Sequence, residues 1–140
     1  MDIKRLRLLA GLKESVEPEY FAGNIEQLSR DNELYRKVLY TGSKMQLVIM
    51  SIPPGEEIGE ETHENGDQFI RIEGGEGMFV LAGNKSACRD GDAVVVPAGM
   101  AHNVINTGDT PLQLYAIYAP PEHKAHTTHE KKADEKGHEE

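Results

Sequence analysis

The sequence predicts an all-β domain, either a sandwich or an antiparallel jelly-roll barrel. Three observations point there. Short runs that alternate apolar and polar residues follow one another from residue 35 to residue 118, and that alternation is the period of a half-buried strand. Glycine-containing turns separate the runs, as at Thr41-Gly42-Ser43, Glu73-Gly74-Gly75-Glu76 and Ala82-Gly83-Asn84. No stretch of the chain repeats another, so a single barrel is expected.

The elements follow in order. Residues 2–16 read as a short amphipathic helix, with Ile3, Leu6, Leu9 or Ala10, and Val16 on one side. Glu17-Pro18 ends it, because the residue before proline avoids the helical region. The plainer reading is a helix packed on the domain; the sharper one is an arm that clasps a second copy. Asn24 can cap a helical turn over residues 24–32. Strands are expected over residues 35–40, 44–52, 68–72 and 77–81, then one ending at Ala87, then 92–96, 102–106 and 112–118. Pro120-Pro121 closes the series.

From Glu122 onward the chain is mostly Lys, Glu, Ala and Thr, with four of the six histidines and no apolar residue larger than alanine. Such a segment has little to bury, so a disordered tail is expected. The organisation is thus a helical arm over residues 1–33, a barrel over 34–120 and a tail over 121–140. His123, His126 and His129 recur at intervals of three, a pattern that can hold metal, although a solvated polar tail is the plainer reading.

Composition excludes several classes. A chain of 140 residues is one domain. Its single cysteine, Cys88, leaves no internal disulfide and fits a reducing compartment. No apolar run is long enough to span a bilayer. The basic start with Lys4, Arg5 and Arg7 lacks the apolar core of a signal peptide, since Gly11, Lys13 and Glu14 interrupt it, and a cytoplasmic protein is expected. The formal charge of −9 argues against nucleic acid as a partner.

Two stretches carry chemistry. The first runs from Gly55 through Glu61, His63 and Gln68 to Gly75; the second runs from Gly91 through Pro97, Gly99 and His102 to Asn106. The second resembles the second signature motif of the cupin superfamily. Gly91, Pro97, Gly99, His102 and Asn106 fill every fixed position of it. In the first cupin motif Gly55, His63 and Gly75 match. Glu61 stands where the family usually has its first histidine, and Gln68 where it usually has glutamate. The resemblance covers residues 40–118. It implies a single cupin-type jelly-roll barrel with one metal site.

Side-chain parity places Glu61 with His63, Gln68 with Ile70 and Ile72, and His102 with Val104 and Asn106. The apolar companions mark those faces as interior, where a polar group needs a partner. Taken alone, Glu61 reads as part of an exposed acidic run with Glu56, Glu57, Glu60 and Glu64, and each histidine reads as structural. With the motifs, the expected ligand set for a divalent ion is Glu61, His63, Gln68 and His102. Two imidazoles and a carboxylate suit Fe, Zn, Mn, Ni or Co. Asn106 reads as a network residue, and Phe69 and Arg71 face away from the pocket. The expected function is a metal-dependent cupin, isomerase- or dioxygenase-like, acting on a small organic molecule. The alternative is a non-catalytic ligand-binding cupin whose metal is structural. A homodimer is expected, because pairing covers exposed sheet edges and faces.

Overall fold

The computed structural model describes residues 19–135. The expected N-terminal amphipathic helix lies outside the described residues. One helix, α1 (Ile25–Asp31), opens the described chain, and the Asn24 side chain caps it by accepting from the Gln27 N–H. Nine strands follow: β1 (Arg36–Thr41), β2 (Gln46–Ile52), β3 (Asp67–Gly74), β4 (Glu76–Leu81), β5 (Asn84–Arg89), β6 (Ala93–Val96), β7 (His102–Asn106), β8 (Leu112–Ala119) and β9 (Thr128–His129).

The strands form two antiparallel sheets. One has six strands in the order β6-β3-β8-β2-β1-β9, and the other has three in the order β5-β4-β7. The expected barrel is therefore an open sandwich. Closure fails beside β7, where residues 57–61 run along the strand without forming one. Only the bridges Glu57↔Ile105 and Glu61↔His102 are made there. Gly55 and Gly59 explain the interruption. Both hold positive φ, 80° and 101°, which breaks the regular extended backbone.

The interior lies between the sheets and is layered by register. At one end the six-stranded sheet presents Gln46, Tyr118 and Gln68 side by side. The next inward row is Val48, Ala116 and Ile70, and the next is Met50, Leu114 and Ile72. Val104 and Phe79 of the smaller sheet pair with each other and close over the middle of the core. Burying each large aliphatic side chain contributes about 1.5–3 kcal/mol, so the two apolar rows hold the sheets together.

The C-terminal segment departs from the expected disorder. Residues 121–135 carry β9, which pairs with β1, and a 3-10 turn at Lys132–Glu135. The sheet thus extends past the boundary expected at residue 120, and helical structure is not confined to the first part of the chain. The segment is held by polar groups instead of apolar ones. The Gln46 amide, fully buried, accepts from the backbone N–H groups of Glu122 and His123 and donates to the His123 carbonyl. His123 and His129 are both buried. A composition argument that counts only apolar surface cannot see such anchoring.

Cys88 lies in β5 against the core, and burial pushes its thiol up to about 11. It is an inert packing residue.

Candidate metal centre

The centre is built by backbone pairing before any side chain is considered. The Glu61 N–H donates to the His102 carbonyl and the His102 N–H to the Glu61 carbonyl, both at 2.9 Å. Such a doubly bonded antiparallel pair sends its two side chains to one face. His63 sits two residues on, outside any strand. Its carbonyl accepts from the Gly99 N–H at 2.9 Å, and Gly99 holds φ of 84°, a conformation that favours glycine. The turn of the second motif therefore fixes the backbone of the first.

The result is a cluster of Glu61, His63 and His102 whose candidate ligand atoms all lie within 4.8 Å of one another. The two imidazole rings are 5.1 Å apart between centroids. His102 is buried, while His63 and Glu61 are half-buried. The other four glutamates of the acidic run, Glu56, Glu57, Glu60 and Glu64, are exposed.

Hydrogen bonding orients both rings. His102 Nδ1 lies 3.0 Å from the Met100 carbonyl oxygen. A carbonyl only accepts, so Nδ1 carries the proton and Nε2 presents its lone pair. His63 Nδ1 lies 3.4 Å from a Glu122 carboxylate oxygen. The Nε2 atoms of both rings are buried without a hydrogen-bond partner. His63 Nε2 comes within 3.4 Å of Glu61 Oε1, but in poor alignment for a hydrogen bond. Two orphaned ring nitrogens beside a carboxylate, each ring held from behind, is the donor set a divalent cation requires.

Electrostatics agree. The Glu122 carboxylate and then that of Glu61 outweigh burial and push His63 up to about 9. Burial alone would raise the Glu61 carboxyl, but His63 and the charge of Arg36 hold it below the ordinary range. Without a cation, a proton on His63 offsets one of the two carboxylate charges. A metal ion would replace that proton.

Gln68 stands beside the cluster. It is buried, Tyr118 is its cross-strand neighbour, and the Tyr118 ring lies edge-on to His63 at 5.7 Å. Its Oε1 atom has no hydrogen-bond partner. Asn106 shares the inner face with His102 but is fully engaged. Its amide donates to the carbonyls of Ile52 and Thr110, and its oxygen accepts from the Gly108 N–H. Arg71 and Phe69 face outward as parity requires: Arg71 pairs with Glu73 at 3.1 Å, and Phe69 lies 6.1 Å from the Tyr115 ring.

Sequence reasoning missed several site residues. The inward direction of Tyr118 cannot be read from its strand, which has apolar residues on both faces. Arg36, Glu122, His123 and His129 reach the interior through pairings that leave no local pattern. A cavity of about 450 Å³ lined by His63, Gly66, Tyr118 and Glu122 touches the cluster at His63 alone. A larger one of about 560 Å³, between Arg30, Tyr35, Ser51 and Glu130, contains none of the four expected ligands.

The profile of the cupin domain matches residues 48–118, half of the chain. This chain is a cupin. YrkC of Bacillus subtilis is 48% identical over 123 residues, which is 84% of this cupin and 66% of YrkC, so the chain spans about two thirds of that relative. The crystal structure of BH2720 from Bacillus halodurans superposes with a TM-score of 0.81 at 42% identity, over 84% of this chain and 96% of that one. An oxalate-binding protein of Thermotoga maritima is 34% identical over 68 residues, covering 49% of this cupin and 56% of that protein. Among the described residues no helix is long and apolar enough to cross a membrane.

Proposed function

We propose that this cupin binds one divalent metal ion through Glu61, His63 and His102 and acts there on a small organic molecule. The observation that carries the reading is the pair of buried Nε2 atoms, both without a hydrogen bond, beside the Glu61 carboxylate. The set suits Fe, Zn, Mn, Ni or Co. A bound ion with one anionic ligand would keep net positive charge, able to polarise a carbonyl or acidify bound water.

The chain's own groups divide the remaining work. Met100 and Glu122 hold the ring orientations. Gln68 Oε1 serves as a fourth ligand or accepts a hydrogen bond from the substrate. Burial raises the Tyr118 phenol above its ordinary range, so it stays protonated and can donate a hydrogen bond beside His63. The cavity at His63, Tyr118 and Glu122 would bring a small molecule to the His63 side of the cluster.

A second reading, a ligand-binding cupin without turnover, is favoured by the neutral Gln68 and by the similarity to an oxalate-binding protein. Turnover measured on metal-loaded protein separates the two. The shared metal claim is tested by elemental analysis of untagged protein. One equivalent per chain is expected, absent in His63→Ala and in His102→Ala; full metal in both variants would move the site elsewhere.

For assembly, the outer face of the six-stranded sheet supports a homodimer. Val95, 66% exposed, pairs across strands with Phe69, and Phe69 with Ile117. Sedimentation at micromolar concentration showing only a 15.5 kDa species would reject pairing.

A further inference from the structure

The cavity at His63 is built to select by charge. About 450 Å³ in volume, it is walled on one side by residues 62–67 and on the other by Tyr118 and residues 120–122. Pro120, Pro121 and the Tyr118 ring give it apolar surface, and Glu64, Asp67 and Glu122 bring three carboxylates. Among the described residues no lysine or arginine lines it. A cleft walled by one sign of charge concentrates ligands of the other sign. An anion placed here would face the three carboxylates and would meet the candidate metal centre only through His63.

The three carboxylates are not equal. Glu64 and Asp67 are exposed, so water and salt screen them. Asp67 is also engaged, its Oδ1 accepting from the Ala98 N–H at 2.9 Å. Glu122 is half-buried, and its Oε2 lies 3.4 Å from His63 Nδ1. That ring nitrogen offers one donor to a group with room for about four. A ligand with two parallel N–H groups finds the remaining room there.

The chain beneath Glu122 is fixed. Its N–H donates to Gln46 Oε1 at 3.1 Å, the His123 N–H donates to the same oxygen at 2.9 Å, and Gln46 Nε2 donates to the His123 carbonyl at 2.7 Å. Gln46 is fully buried in β2, so the sheet itself anchors this wall. The opposite wall meets it at Gly66, where a Cβ would stand 2.9 Å from both the Ala119 carbonyl oxygen and Pro120 Cδ. The backbone carrying Glu122 therefore loses little freedom when a ligand binds.

We propose that the small molecule taken by this cavity is an organic cation, an amidine or amine, whose positive group sits on the Glu122 carboxylate between Pro120–Pro121 and the 62–67 wall. The proposal rests on the reading that a small molecule is bound beside the metal centre, and it names the class of that molecule.

The test is titration of the full chain, followed by NMR, with benzamidine, benzamide and benzoate, which share one shape and are positive, neutral and negative. Bound metal is counted on the same samples. Benzamidine should bind roughly tenfold tighter than benzamide, the factor expected of a charge-assisted contact, and benzoate should bind weakest. Glu122→Gln should bring benzamidine and benzamide to within about threefold of each other. Glu64→Gln, which removes an exposed charge, should change their ratio by less than about twofold. In the parent protein the benzamidine ring protons should show Overhauser contacts to Pro120, Pro121 or Tyr118. Equal binding of benzamidine and benzamide, tightest binding of benzoate, binding of none of the three, or a ratio that survives Glu122→Gln overturns the proposal. If Glu122→Gln does not fold, the Overhauser contacts decide in the parent protein, and their absence overturns it. The metal count tells the two failures apart: protein that holds metal and shows no charge preference rejects the ligand class alone, whereas protein that holds none and keeps the preference rejects the metal alone.

Discussion

β7 carries two polar residues on its inner face, His102 and Asn106, and they mark opposite ends of the interior. Asn106 has every hydrogen-bonding group engaged, with donors to Ile52 and Thr110 and an acceptor for Gly108. His102 has one ring nitrogen held by Met100 and the other buried with nothing on it. Around Asn106 the core is apolar, with Ile52 and Leu112 fully buried. Around His102 stand Glu61 and His63, with the Tyr118 ring edge-on to His63 and Gln68 beside Tyr118. Both residues belong to the same motif and the same strand. What separates them is whether the fold has already spent their hydrogen bonds. The closed end holds the sheets together, and the open end keeps polar atoms available at a cost in stability.

The largest effect should come from breaking the closed end. Leu114→Ala removes a fully buried side chain between Met50 and Ile72, and should destabilise by about 3 kcal/mol. Urea denaturation measures it, and metal stoichiometry in the folded protein should stay the same. Asn106→Ala should cost about 2 kcal/mol, because two buried carbonyls lose their donor. His102→Ala should have the opposite profile: metal is lost, while metal-free stability changes by less than about 1 kcal/mol, since the Nε2 atom has no bond to lose. If His102→Ala destabilises the metal-free protein as much as Asn106→Ala does, the distinction between the two ends is wrong.

Acid should attack the open end first. His123 packs edge-on against Tyr118 at 5.1 Å between centroids. Burial first, then the Arg36 charge, with His129 and His63 adding to it and Glu61 opposing, pushes its pKa down to about 3. The folded value lies below the unfolded one, so the unfolded chain takes up the proton first as pH falls. Stability from this group is complete above its ordinary pKa of 6.5 and is lost from there toward about 3. His123→Gln should therefore flatten the fall in urea midpoint between about pH 6.5 and pH 4 by about one proton per chain. An unchanged slope would mean that His123 is not buried as a neutral ring.

The same contrast explains what could be read from the sequence. Strand alternation and turn residues located eight of the nine strands within a few residues, although β5 buries only Cys88 and was marked by the Ala82-Gly83-Asn84 turn. The parity of Gln68 with Ile70 and Ile72, and of His102 with Val104, held because apolar neighbours fixed the inward side. β9 was not legible, since Thr128–His129 has no apolar residue, and what seats it is pairing with β1 and the Gln46 clamp on residues 122 and 123. Arg36 carries no local signal of its burial, since Lys37 follows it and no motif includes it. Its burial depends on partners about 93 and 99 residues away in the chain, at His129 and Glu135. The closed end follows local rules; the open end is assembled from distant polar pairs.

Gln68 offers the finest probe, because it sits where the polar row meets the candidate centre. Its Oε1 atom is buried without a partner, so the fold has reserved an acceptor there. Gln68→Glu keeps the shape and adds a negative charge. If Gln68 is a ligand, divalent metal should bind roughly tenfold tighter, since a carboxylate is a better oxygen ligand than a neutral amide. The ion would then be a weaker Lewis acid, because the site's net positive charge falls. An enzyme should lose turnover while holding metal better, whereas a binding protein should shift its preference from anionic toward neutral ligands. Gln68→Ala gives the complement, a modest loss of affinity with stoichiometry kept. Competition with a metal-chelating dye reads both variants. If neither changes metal affinity, Gln68 faces the substrate and the ion is held by Glu61, His63 and His102 alone.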